Sequence, residues 1–83
     1  MALRITLGEP LWRELGVHEV LIEFEPGQIL PLSDLPARIG LTGWTTEGLL
    51  AAVNDRLVPA GDAQTLMLHD GDHVVLQLML AGG

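Results

Sequence analysis

Cysteine is absent from this 83-residue chain, and so is lysine. Without cysteine there can be no disulfide, no thiolate metal ligand and no cysteine nucleophile. Without lysine no side-chain amine can accept an isopeptide bond, so the chain cannot build lysine-linked chains of itself; a genome that prefers arginine accounts for the same gap. Basic charge is scarce, and four arginines against eleven acidic residues leave a net charge of −7. Such a surface repels a phosphate backbone, so nucleic acid is not an expected partner. No run approaches the ~20 apolar residues of a membrane span. The sequence opens Met-Ala-Leu-Arg-Ile-Thr, with no basic stretch ahead of a long apolar one. Neither a membrane partner nor a signal peptide is expected, and the default location is the cytoplasm. Internal repeats, linkers and low-complexity segments are also missing.

What is present is apolar. At 48% hydrophobic and 18% charged, the chain has the composition of a packed globule rather than of a disordered segment. Its length allows one domain with one core, burying only ~60–65% of the unfolded surface, so modest stability is expected.

The most informative stretch is the last. Asp70-Gly71-Asp72 is turn chemistry, because glycine tolerates positive φ and aspartate can bond to nearby backbone. From 74 to 80 only Gln77 is polar, which suits a strand covered on both faces. Alternation assigns Val74, Leu76 and Leu78 to the core and Val75, Gln77 and Met79 to the opposite face. The sequence then reads Leu80-Ala81-Gly82-Gly83, and the two glycines have no side chain to pack or to shield a carboxylate.

Upstream, Leu3, Ile5 and Leu7 alternate with Arg4 and Thr6, predicting a strand over 2–7. Pro10 suits the first turn of a short helix through Leu11 and Leu15, with Gly16 as its stop. Val20, Ile22 and Phe24 alternate with acidic positions and Leu21, predicting a second strand over 17–24 with an acidic outer face. Pro26-Gly27 is a turn. Ser33 is the expected N-cap of a helix over 34–39 ending at Gly40, with Leu35 and Ile39 facing the sheet. Pro36 requires that helix to be short, since proline beyond the first turn costs ~3 kcal/mol. A loop over 40–48 contains Trp44, a strand over 49–54 follows, and Asn54-Asp55 should turn tightly into a short strand over 56–58. Residues 59–64 read as a polar loop.

Arg13-Glu14-Leu15-Gly16 after the first strand, Val53-Asn54 shortly before Leu57-Val58, the Asp70-Gly71-Asp72 turn, the apolar last strand and Gly82-Gly83 together resemble the ubiquitin-like sulfur carriers. These are β-grasp proteins that include the small subunit of molybdopterin synthase and the thiamine sulfur carrier. The short first helix resembles the molybdopterin-synthase type. Asp55 stands where the family has glycine, Gly8 where an aromatic is frequent, and Met79-Leu80 where prolines are common. The resemblance implies an α+β fold, a ubiquitin-like β-grasp with a mixed sheet, its first and last strands parallel at the centre, packed by one main helix plus short helical turns. Residues 1–79 would form the domain and 80–83 a tail.

The resemblance also implies the chemistry. An E1-like activating enzyme, using ATP and magnesium, would adenylate the Gly83 carboxylate, and a persulfide donor would convert it to a thiocarboxylate for a sulfur-accepting synthase subunit. Gly82, Ala81 and Leu80 would let the tail thread a narrow channel, since the four residues from Leu80 to Gly83 reach ~13 Å when extended. Val75, Gln77, Met79 and Leu21 would form a docking surface for the partner. No bound cofactor, metal or catalytic residue is expected in the chain itself. His69 and His73 flank a turn that prevents helical alignment on a metal, and Asp70 and Asp72 offer too few regularly spaced oxygens for calcium. Ser33 lacks a base in any triad-like pattern. Asp34 fits a helix start, and Trp12 and Trp44 fit packing. Two other readings stay open: a protein modifier joined through Gly83 to lysines on targets, and a β-grasp interaction module whose tail has no role.

Overall fold

A computed structural model describes residues 2–9, 11–41 and 48–78. The expectations for Trp44, Met79, Leu80, Ala81, Gly82 and Gly83 therefore lie outside the described residues. The frame is a five-stranded sheet in the order β2-β1-β7-β4-β5, built from β1 (Ala2–Leu7), β2 (Glu19–Glu23), β4 (Leu49–Val53), β5 (Arg56–Val58) and β7 (His73–Leu78). β1 and β7 run parallel side by side at its centre, and the other neighbours are antiparallel. A separate ribbon pairs β3 (Ile29–Pro31) with β6 (Met67–His69). The helical elements include α1 (Leu11–Leu15), α2 (Leu35–Arg38) and 3-10 turns at Leu32–Asp34 and Ala60–Asp62.

Alternation decides which face is inside. Leu3 and Ile5 of β1 and Val74 and Leu76 of β7 are wholly buried, while Arg4 between the first two and Gln77 after the last are exposed. The predicted register of the last strand holds for Val74 and Leu76, but Leu78, expected in the core, is only half-buried and lies outside the core cluster. The expectation that this strand is covered on both faces does not hold, because Val75 is only half-buried and Gln77 is open.

Other differences have physical causes. β2 is shorter than 17–24: its ladder ends where Glu23 meets Ala2, although Phe24 still turns into the core. Ser33 does not cap a helix. It lies in a 3-10 turn, and its N–H donates to the Ala63 carbonyl at 2.9 Å while the Leu32 N–H donates to Leu66 at 3.0 Å. The Leu35 N–H, which a Ser33 cap would have served, donates instead to the Leu32 carbonyl of the 3-10 turn. The main helix is then a single turn, with Pro36 near its start where no N–H is needed. Leu32, Leu35 and Pro36 all face the core. β3 and β6 were not anticipated; each is three residues long, too short to show a period.

The turns behave as their chemistry requires. Asn54 and Asp55 both have positive φ, 51° and 70°, the signature of a tight turn that follows strand twist. Gly71 has φ 88°, and the Asp72 carboxylate accepts the His69 N–H at 2.8 Å and the Asn54 side-chain amide at 2.9 Å. One carboxylate therefore ties the end of β6 to the β4–β5 turn beside the start of β7.

Candidate functional site

β7 enters the sheet at that clasp and leaves it at the other end, beside Leu7 and Leu49. The residues predicted to carry chemistry follow Leu78, so the end of β7 is the last part of the candidate site whose geometry is described. There the Gly8 N–H donates to the Leu76 carbonyl at 2.8 Å, just before the chain turns into α1. A Cβ on Gly8 would lie 2.6 Å from Cγ of Gln77. The Gln77 side chain thus lies across the end of β1, in space left by the missing Cβ. On the other side of α1, Trp12 stacks on His18 with ring centroids 4.3 Å apart, and the Arg13 guanidinium lies 5.2 Å from the Trp12 ring.

The outward face of the sheet places the remaining predicted residues. Register runs one row from Glu19 through Thr6, Val75 and Ala52 to Leu57. Leu57 is 67% exposed, and Val75 and Ala52 are half-buried beside it. The next row toward the tail pairs Gln77 with half-buried Leu50. On the other side, Leu21, 63% exposed, pairs with Arg4, which pairs with His73. Val75 and Gln77 therefore share a face with Leu21, but β1 stands between them and presents Arg4 and Thr6. Polar links lie in that gap: Thr6 Oγ1 and His73 Nε2 share a hydrogen bond of 2.8 Å, and Arg4 Nε is 3.7 Å from Glu19.

The neighbours that extend Val75 into an apolar strip are Ala52, Leu50 and Leu57. Sequence reading did not select them. Pairing β4 antiparallel to β7 would have done so, because the period-2 rule then puts Leu50 and Ala52 on the face of Gln77 and Val75. Among the described residues no three His, Asp or Glu side chains are grouped to hold a metal ion, and no buried side-chain polar atom lacks a partner. None of the described helices is long and apolar enough to cross a membrane.

A mixed sheet with parallel first and last strands at its centre, crossed on one face by short helices, is the arrangement of solved structures with quite different sequences. SAMP1 from Haloferax volcanii superposes with a TM-score of 0.67 over 100% of both chains at 18% identity. A putative molybdopterin converting factor subunit 1 from Pyrococcus furiosus gives 0.68 at 22% identity, over 96% of this chain and 99% of that one. This is the ubiquitin-like β-grasp fold. A chain in the complex of subunits 1 and 2 of molybdopterin-converting factor from Helicobacter pylori shares the β-grasp with a TM-score of 0.59, at 23% identity and over 100% of both chains. No protein-family model matches the sequence, and no curated protein matches it. The likeness is therefore one of β-grasp architecture.

Proposed function

We propose that the chain is a sulfur carrier, a reagent activated at the carboxylate of Gly83 rather than an enzyme. The observation that carries this reading is the position of β7: the central strand of a β-grasp sheet is followed at once by Met79-Leu80-Ala81-Gly82-Gly83. The globule is then a handle, and the residues after it are slender enough to enter a partner's active site. A carboxylate is a poor electrophile because its charge is delocalised and its leaving group would be oxide. ATP with magnesium on an E1-like enzyme would convert it to an acyl-adenylate with loss of pyrophosphate. A persulfide would then displace AMP to give an acyl disulfide, and a thiol attacking the donor sulfur would release the thiocarboxylate and leave a disulfide on the donor. The neighbour solved as a complex of two subunits supports a sulfur-accepting synthase subunit as the second partner. The strip of Val75, Leu50, Ala52 and Leu57, with Gln77 beside it, would dock such partners, and Met79 and Leu21 would extend the contact.

Intact-protein mass spectrometry tests the reading, on protein whose last residue is Gly83. Incubation with ATP, magnesium, a persulfide donor and an activating enzyme should add ~16 Da, the exchange of oxygen for sulfur. A variant lacking Gly82 and Gly83 should gain nothing. ATP-dependent joining to other proteins without that mass gain would replace the carrier by a protein modifier. Unchanged mass across several activating enzymes would leave an interaction module.

A further inference from the structure

β2 is the outermost strand on its side of the sheet, and its free edge has a defined chemistry. The Leu7 N–H donates to the His18 carbonyl at 2.8 Å, which makes that pair a hydrogen-bonded one. Bonded and non-bonded pairs alternate along an antiparallel ladder, so Val20 and Ile22 direct their backbone groups at β1. Glu19, Leu21 and Glu23 direct theirs outward, where no strand pairs with them among the described residues. The side chains of the same three residues are exposed and share the outward face. Leu21 is thus an exposed aliphatic residue between two carboxylates, on a strand with three open amides and carbonyls. Glu25 adds another exposed carboxylate just beyond.

We infer that this edge accepts an extended, basic segment of a partner protein as an added antiparallel strand, with arginine or lysine opposite Glu19 and Glu23 and an aliphatic residue opposite Leu21. Strand addition supplies main-chain hydrogen bonds, and alternate side chains supply the choice of partner. The charges select this occupant over a second copy of the chain. Antiparallel self-pairing centred on Leu21 sets Glu19 of each copy opposite Glu23 of the other, and like charges directly opposite oppose pairing. A basic strand converts both repulsions into attractions, and the chain's overall charge of −7 draws it in. Arg4 lies 3.7 Å from Glu19, and among the described residues no ion pair engages Glu23, which is left to the incoming strand.

The test uses the peptide acetyl-Ser-Arg-Thr-Val-Thr-Arg-Ser-amide and amide-resolved NMR of the full chain. Titration should move the Glu19, Leu21 and Glu23 amides and slow their hydrogen exchange, with little change along β5 at the opposite edge. The Glu19→Lys/Glu23→Lys double variant should bind this peptide at least about tenfold more weakly and prefer the version with glutamate for arginine. The single variant Glu23→Lys keeps the Arg4–Glu19 contact and should show an intermediate loss, a guard against misfolding of the double variant. A peptide with proline for valine keeps the charge but loses the central N–H, and should bind weakly. Equal binding of the proline peptide, shifts centred elsewhere, or self-association of the unmodified chain through this edge would each overturn the inference. Removal of Gly82 and Gly83 should leave binding unchanged, so this result is independent of whether Gly83 is ever activated.

Discussion

The two faces of β7 are built from the same six residues and have opposite properties. Inward, Val74 and Leu76 are fully buried against Leu3, Ile5 and Leu7 of β1 and Leu49 and Ala51 of β4. Outward, Val75 and Gln77 remain within reach of a partner, although Val75 is as aliphatic as its buried neighbour. Val75 is apolar enough to be core, but the helices cover only the other face. Hydrophobicity therefore says that a residue can be buried, while topology says whether it is. On the outward face that leaves a partly apolar strip open to solvent, as docking in the proposed carrier role would require.

That contrast can be tested by substitution. Leu76→Ala removes a wholly buried side chain and should cost ~2–5 kcal/mol in urea unfolding; a cost below ~1 kcal/mol would mean the two faces differ less than their burial suggests. Asp72→Ala leaves the His69 N–H and the Asn54 amide without their acceptor and should cost ~1–3 kcal/mol. Asn at that position, which retains one carbonyl acceptor, should recover part of the loss. Gly8→Ala forces Gln77 off the end of β1 and should cost ~1 kcal/mol. The cost should disappear when Gln77 is also alanine, and a double-mutant cycle measures that coupling. Leu57→Ser, on the outward strip, should change stability by less than ~0.5 kcal/mol. If the strip docks the activating enzyme, the same substitution should raise the KM for the carrier while leaving kcat of adenylation unchanged. A stability loss as large as that of Leu76→Ala would instead make Leu57 part of the core.

Long periodic segments were legible in the sequence, and segments fixed by distant partners were not. β1 and β5 have the predicted limits, α1 stops at Leu15 as Gly16 requires, and the Asn54-Asp55 turn is the tight one its residues favour. The ribbon of β3 and β6 was invisible, because Ile29, Leu30 and Pro31 form a strand only through Met67, Leu68 and His69, far along the chain. Ser33 matches the residue preference of a cap, but it lies inside a 3-10 turn whose Leu32 carbonyl takes the Leu35 N–H that the cap would have served. At the site, Val75, Gln77 and Leu21 could be put on one face from period alone. That Leu57 and Ala52 flank Val75, while Arg4 and Thr6 separate it from Leu21, required the order of strands across the sheet.

The place of β7 also bears on how the chain is made. The β1–β2 pair and the β4–β5 pair are joined in the hydrogen-bonded sheet only through β7, and a ribosome completes both before it adds the strand between them. Each hairpin alone is marginal in water, so the sheet cannot close until residue 78 has left the exit tunnel. A product interrupted before His73 would expose two apolar faces to proteases. Closure of the sheet thus waits for the last strand to be made.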